Sequence, residues 1–247
     1  MTTTLIQPAT TAASLDDRVL VDRAGAIQAN LVMLNLGALV NFLVAAAVLQ
    51  TAVSRVAVGA WVALQLARVA LGLWQARRLR GRPPNTRNAA RRLQGFANGA
   101  LGGGLCWVAG IVFLWPPERP ELQLFLILLA AGEISGALHG CAAHPPAFVR
   151  FAGPIVVAVI AMLLLEGGTL DLAIAAAIAA YAVFNLRLSQ SLSRALMASM
   201  RTRHEADDLA ADLAVQKARA EEANLAKSRF LAAASHDLRQ PVHALTL

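Results

Sequence analysis

Residues Ile27–Gln50 have the sequence IQANLVMLNLGALVNFLVAAAVLQ, a run of 24 residues without a charged side chain. A helix of about 20 predominantly apolar residues is long enough to cross the ~30 Å hydrocarbon core of a bilayer. Backbone N–H and C=O groups cannot stay unpaired in hydrocarbon, so a run that crosses it must be helical. The stretch therefore predicts a membrane-spanning α-helix and decides the fold class of the chain.

Five similar runs follow, and the composition of the whole chain agrees with them. The 247 residues are 57% hydrophobic and only 15% charged, with a mean hydropathy of +0.55, which is unlike a soluble protein. We predict an all-α fold, with an N-terminal tail over residues 1–24 and a six-helix transmembrane bundle over residues 25–186. The predicted spans are Ile27–Gln50, Ala52–Trp74, Phe96–Trp115, Glu121–Cys141, Phe148–Leu165 and Thr169–Leu186.

One connection between the spans is strongly basic, and it predicts the orientation of the chain. Residues 77–92 hold seven arginines and no acidic residue. Arginine-rich connections stay in the cytoplasm, so both termini of a six-span chain are expected there. The alternative is a basic loop without topological meaning; a nucleic-acid partner is not expected. The short turns then expected outside are Gln50–Arg55, Pro116–Glu121 and Glu166–Asp171.

Two charged residues are predicted to lie deep within spans. Glu133 is about 18 Å from the outer end of span four, and Arg68 is about 20 Å from the outer end of span two. Isolated charges at that depth are costly and usually find a partner in the bundle interior. We therefore predict Glu133 and Arg68 as ligand candidates, either paired together or with Glu133 on a ligand head group. The alternative is that Arg68 extends to the interface and Glu133 is protonated or simply structural.

Regularly spaced glycines in spans three and four indicate close approach of helices. Gly99 and Gly103 form one GxxxG motif, and Gly132, Gly136 and Gly140 form a doubled one. Small residues let helix backbones approach each other in membranes. The motifs predict that spans three and four pack on one another or across a dimer.

The cysteines and the central histidines predict no metal site. Cys106 and Cys141 fall within or at the edge of apolar spans without metal-ligand spacing, which favours buried free thiols. Glu133 and His139 are six residues apart, so on one helix they point to different sides. We expect His139 and His144 to be interfacial or loop side chains.

A polar segment over residues 187–226 follows the last span and is predicted to continue its helix into the cytoplasm. It contains no glycine or proline. Apolar residues recur at a spacing of three to four, which is typical of a coiled-coil seam, although Gln216 and Lys227 interrupt it. The alternative is an ordinary solvated helix. The seam positions, which extend into the following segment, are Leu209, Leu213, Ala220, Ala223, Phe230 and Ala234.

Residues 227–247, KSRFLAAASHDLRQPVHALTL, contain the strongest local motif, Ser235–Pro241. His236 lies off the apolar stripe of its predicted helix and would face solvent. A neutral imidazole nitrogen is a nucleophile suited to phosphoryl transfer, and the adjacent carboxylate of Asp237 can orient the ring and increase its basicity. Arg239 can place positive charge near a transferred phosphate.

This motif resembles the H-box of the dimerisation and phosphoacceptor helix of sensor histidine kinases of the HisKA type. The resemblance implies that His236 is the autophosphorylation site and that Asp237 assists the transfer. It also implies that Gln240 helps to dephosphorylate the partner response regulator, although threonine or asparagine is more usual there. The resemblance implies that residues 25–186 form a sensor domain, that residues 187–226 form a signalling helix and that residues 227–247 form the first part of a phosphoacceptor hairpin.

The resemblance also implies partners and cofactors. A histidine kinase works as a homodimer, uses ATP and Mg²⁺ in a separate catalytic domain, and passes its phosphate to the receiver domain of a response regulator. No ATP-binding motif precedes Leu247, so we expect this chain to be the N-terminal portion of a longer kinase, possessing no kinase activity alone. HDLRQP resembles the form of the box found in hybrid kinases. The alternative function is a non-enzymatic membrane transporter or ligand-binding module with an appended helix.

Overall fold

The computed structural model describes the backbone of residues 14–244 and the side chains of residues 14–231. Within that part the chain is helical and has no strand. Six of its helices are long and apolar enough to cross a membrane, which confirms the all-α class and the six spans and makes this a multi-pass membrane protein. The helices are α1 (Leu15–Leu49), α2 (Arg55–Leu79), α3 (Ala89–Phe113), α4 (Pro120–Gly140), α5 (Pro145–Glu166) and α6 (Thr169–Ala244).

Helix α1 begins inside the segment predicted as an N-terminal tail, because a capping box starts it. The Ser14 hydroxyl accepts a hydrogen bond from Asp17 N at 3.2 Å, and the Asp17 carboxylate accepts one from Ser14 N at 3.3 Å. Asp16 and Asp17 also place negative charge in the first turn, where the helix dipole favours it. These local signals start the helix well before the apolar run.

One end of the bundle, which we call the arginine end, carries the connection from α2 to α3. Gln28 Nε2 on α1 donates to the Leu79 carbonyl at 2.7 Å. Arg92 Nη1 donates to Gln28 Oε1 at 2.5 Å and to the Arg82 carbonyl at 2.7 Å. These bonds tie the basic connection to the first half of α1.

The opposite end of the bundle carries the connections from α3 to α4 and from α5 to α6. Trp115 Nε1 donates to Glu166 Oε1 at 3.0 Å, and Gln123 Nε2 donates to the same oxygen at 3.2 Å. Gln123 also donates to the Pro116 carbonyl at 3.1 Å. The Glu166 carboxylate thus joins α4 and α5 beyond the apolar core.

An aromatic cluster fills the core between α1, α2 and α3. Phe42 and Trp61 meet edge to face with ring centroids 6.2 Å apart, and Trp61 and Trp107 do so at 5.7 Å. Trp61 Nε1 donates to the Cys106 carbonyl at 2.8 Å, so the indole is satisfied inside the bundle. The three rings lock the relative rotation of these helices.

Helices α3 and α5 approach each other closely at Gly104. A Cβ atom at Gly104 would lie 2.5 Å from the Phe151 carbonyl oxygen, closer than any real contact. Among α1–α5 the closely packed helix pairs are α3–α5, α1–α2, α1–α4, α1–α3, α2–α3 and α4–α5. The expected packing of span three on span four within one chain is therefore wrong.

Helix α6 belongs to two compact units, which divide after Met200. In the first unit its side chains pack on the bundle, where the Tyr181 hydroxyl donates to the Ala131 carbonyl at 2.7 Å and Ala175 is buried. In the second unit the described seam residues Leu209, Leu213 and Phe230 are exposed. The signalling segment is helical as predicted, and its pairing as a coiled coil stays a prediction.

Candidate functional site

A half-open cavity of about 710 Å³ lies between the helices of the bundle, lined mainly by α1, α2, α3 and α4. Its volume is in the range of small-molecule binding sites. Along α2 the lining runs from Arg68 to Leu79, eleven residues or about 16 Å at 1.5 Å per residue. The cavity therefore reaches from the arginine end well into a ~30 Å hydrocarbon core.

The glycine stripes of α3 and α4 form part of the cavity wall. Four of the six glycines have no other residue's atoms within 4 Å of the place where a Cβ would lie: Gly95, Gly99, Gly132 and Gly136. A glycine in a helix interior costs about 1 kcal/mol relative to alanine, and no close packing within the described part of one chain accounts for these four. Their effect is to leave space between two helices that do not pack together. All six, Gly95, Gly99, Gly103, Gly132, Gly136 and Gly140, line the cavity.

The deep end of the cavity carries both charged residues singled out from the sequence. Arg68 on α2 donates from Nε to Gln65 Oε1 at 3.1 Å, and Glu133 on α4 accepts at Oε1 from Asn41 Nδ2 at 3.0 Å. Glu133 is only 8% exposed. The opposite charges attract each other electrostatically, yet no ion pair within 4.0 Å joins them among the described side chains. The fold therefore brings Arg68 and Glu133 to one site and holds them apart.

The arginine end of the cavity is polar and carries fixed positive charge. Arg78 stacks on the Trp74 ring, with Cζ 4.8 Å from the ring centroid. Arg92 and Gln28, already hydrogen-bonded to each other, line the cavity beside Gln75. Part of the basic connection thus forms the rim of the cavity.

Three residues of the cavity lining were not predicted from the sequence as part of a site: Asn41, Trp74 and Gly95. Gly95 could have been found, because it extends the Gly99 and Gly103 pattern by one more step of four. Asn41 was recognisable only as a polar residue in a span. Its partner Glu133 is 92 positions away on another helix, so the rotation of both helices decides the contact.

The two central histidines occupy different surroundings. His139 is exposed and lines the cavity. His144 lies in the turn between α4 and α5, half-buried, with Nδ1 3.5 Å from Arg23 Nη2. Burial lowers the pKa of His144, and the positive charges of Arg23 and Arg150 lower it further. His144 is thus held as a neutral acceptor at the arginine end.

The two cysteines are free, as predicted. Cys141 is buried just after α4 and lines the cavity, whereas Cys106 is half-buried on α3. The Cys106 carbonyl, rather than its thiol, takes part in the aromatic cluster.

The predicted phosphoacceptor residues lie on the last turns of α6. The helix runs through Pro241 to Ala244, so the proline does not end it. The side chains of His236, Asp237, Arg239 and Gln240 lie outside the described residues. Their predicted roles rest on the sequence alone.

Comparisons with protein-family models, with curated proteins and with solved structures give no match to this chain. Its function must be argued from its residues and their arrangement.

Proposed function

We propose that the chain is the input and phosphoacceptor portion of a membrane sensor histidine kinase in a two-component phosphorelay. The observation that carries the proposal is the continuity of α6, which starts in the bundle and extends without a break through the SHDLRQP motif to Ala244. A stimulus that shifts the bundle would act on the same helix that bears His236. The connections at both ends of the bundle are short, so the stimulus acts in or at the membrane.

His236 performs the chemistry in this proposal. A neutral ring nitrogen attacks the γ-phosphorus of ATP, the N–P bond forms, and the bond to the leaving ADP oxygen breaks. Asp237 orients the ring through its other nitrogen, and Arg239 places positive charge near the phosphoryl group. ATP and Mg²⁺ belong to a catalytic domain beyond these residues. The phosphoryl group then passes to an aspartate of a response regulator, and Gln240 assists its later hydrolysis.

The transmission step uses the exposed seam of α6. Leu209, Leu213 and Phe230 are 61%, 56% and 71% exposed in the single chain, and a second copy would cover them as a homodimer. We place the arginine end of the bundle in the cytoplasm, by the seven arginines of residues 77–92. Both termini then lie on the same side as the ATP domain, in a bacterial inner membrane.

A trans-phosphorylation assay tests the proposed function. The full chain in lipid nanodiscs is mixed with a separate histidine-kinase ATP-binding domain and radiolabelled ATP. We expect acid-labile label on the chain and none on His236→Gln. His243→Gln is the matched control, because His243 lies two helical turns further along and should leave labelling unchanged. Label that persists on His236→Gln, or wild-type chain that never accepts label, would refute the proposal.

The cavity favours one alternative, a membrane transporter or ligand-binding module with an appended helix. Such a module would keep its full activity when His236 is replaced. Uptake assays in proteoliposomes that showed transport by both wild type and His236→Gln, without phosphorylation of either, would favour this alternative.

A further inference from the structure

Arg68 and Glu133 face one cavity from different helices, with opposite charges that are not in contact. We propose that this cavity binds an uncharged single-chain amphiphile whose polar end bridges Arg68 and Glu133. Binding follows from the cavity itself; its role as the stimulus of His236 rests on the proposed function.

Charge balance selects an uncharged ligand. Arg68 and Glu133 together contribute no net charge at the deep end of the cavity. A carboxylate or an ammonium group placed there would leave one net charge inside the membrane span, where uncompensated charge is costly. A neutral polar group adds none. The deep end of the cavity therefore favours a dipole over an ion.

Hydrogen-bonding capacity selects a group that both accepts and donates. Arg68 uses Nε on Gln65, and no described group accepts from its two Nη atoms. Glu133 accepts from Asn41 at Oε1, and no described group donates to its Oε2. A hydroxyl group can accept from Arg68 and donate to Glu133 at the same time.

Cavity shape selects a single apolar chain. Between the deep end and the rim the wall includes Leu31, Leu71, Leu93 and Phe96, and it extends about 16 Å along α2. The open positions at Gly99 and Gly136 widen this channel where larger side chains would close it. The site therefore favours a single apolar chain that extends from the deep end toward the rim.

The experiment uses four probes with one chain length: dodecanol, dodecane, dodecanoate and dodecylamine. Each is titrated calorimetrically into the full chain in nanodiscs, and uptake by empty nanodiscs is subtracted. We expect saturable binding of dodecanol, at least about tenfold tighter than that of either ion or the alkane. Equal affinity for dodecanol and dodecane would mean that the polar pair holds only water and would overturn the proposal.

Two substitutions reverse the charge selectivity if the proposal is correct. Glu133→Gln keeps an oxygen for Asn41 and leaves Arg68 uncompensated, so this variant should prefer dodecanoate. Arg68→Gln leaves Glu133 uncompensated and should prefer dodecylamine. Thermal unfolding first establishes that both variants are folded. If both then still bind dodecanol more tightly than either ion, as wild type is expected to do, Arg68 and Glu133 do not bridge the polar end of the ligand.

A cavity-filling pair provides the control for location. Gly136→Leu puts a side chain into the open space of the cavity and should abolish dodecanol binding. Gly59→Leu is the matched control, because Gly59 on α2 is also open but lies outside the cavity lining. Unchanged binding by Gly136→Leu would place the amphiphile elsewhere. His236→Gln should bind as wild type, so failed binding and failed phosphorylation are separate results.

Discussion

Asn41 Nδ2 on α1 donates a hydrogen bond of 3.0 Å to Glu133 Oε1 on α4, and this contact joins two spans at the deep end of the cavity. The carboxylate is 8% exposed, so its oxygen has little access to water. A buried polar group that loses its partner costs about 1–3 kcal/mol. The contact therefore stabilises the bundle at the same point where the proposed ligand binds.

We expect Asn41→Leu to lower the free energy of unfolding by about 1–3 kcal/mol, because it leaves Glu133 Oε1 buried without a donor. Unfolding by SDS titration in mixed micelles measures the change. Asn30→Leu, on the same helix at an exposed position, should change stability by less than about 0.5 kcal/mol. Equal effects of the two substitutions would mean that the Asn41–Glu133 bond contributes nothing.

Two serines on α6 are buried without hydrogen-bond partners, and their removal should stabilise the protein. Ser189 is 0% exposed and Ser193 is 1% exposed, and neither hydroxyl oxygen has a hydrogen-bond partner among the described residues. Replacing an unpaired hydroxyl by hydrogen removes its desolvation cost, so Ser189→Ala should raise the free energy of unfolding by about 1 kcal/mol. The same SDS titration measures the change.

The matched control for this prediction lies between the two serines. Ser191 is exposed on the opposite side of α6, and Ser191→Ala should be nearly neutral. A loss of stability in Ser189→Ala would show that its hydroxyl has a partner in the membrane.

The helices of this fold could be predicted from the sequence because each apolar run is a local property. Their ends depend on separate signals, such as the Ser14 capping box, which lies outside the apolar pattern. The GxxxG motifs of α3 and α4 are visible in the sequence, but the packing of these two helices on one another that they predict is not found within the chain. Whether Gly136 faces a neighbouring backbone or an empty space depends on helix rotations that rings such as Trp61 and Trp107 decide.

The site was only partly predictable for the same reason. Depth along a helix follows from counting residues, so Arg68 and Glu133 could be placed at similar levels in the membrane. Both side chains face one cavity without touching because α2 and α4 have particular rotations about their own axes, and counting residues does not give those rotations. The hydrogen bonds to Gln65 and Asn41 that hold each charge in place come from that tertiary arrangement.

His144 predicts a loss of stability in mild acid. Burial and the charges of Arg23 and Arg150 lower its pKa in the folded protein, so the unfolded chain binds the proton more tightly. Stability from this residue is complete above the unfolded pKa of about 6.5 and decreases as the pH falls below it. Thermal unfolding in nanodiscs, measured between pH 8 and pH 5, should show the unfolding temperature decrease as the pH falls through the range in which histidine titrates.

Substitution of His144 separates this effect from other acid-sensitive groups. His144→Gln should have a shallower dependence of unfolding temperature on pH than wild type. Arg23→Gln should also reduce the slope, because it removes one of the two charges that oppose protonation. An identical slope in wild type and His144→Gln would exclude His144 as the titrating residue.

The run Gly102–Gly104 on α3 offers a test of helix packing with opposite outcomes at two neighbouring positions. Gly104→Ala places a Cβ against the Phe151 carbonyl of α5. Helices α3 and α5 must then move apart, which should lower the free energy of unfolding by about 1–3 kcal/mol. Gly102 has no other residue's atoms near its Cβ position, so Gly102→Ala should gain up to about 1 kcal/mol from helix propensity. SDS titration measures both. If Gly104→Ala were also stabilising, the close approach of α3 and α5 at this position would be wrong.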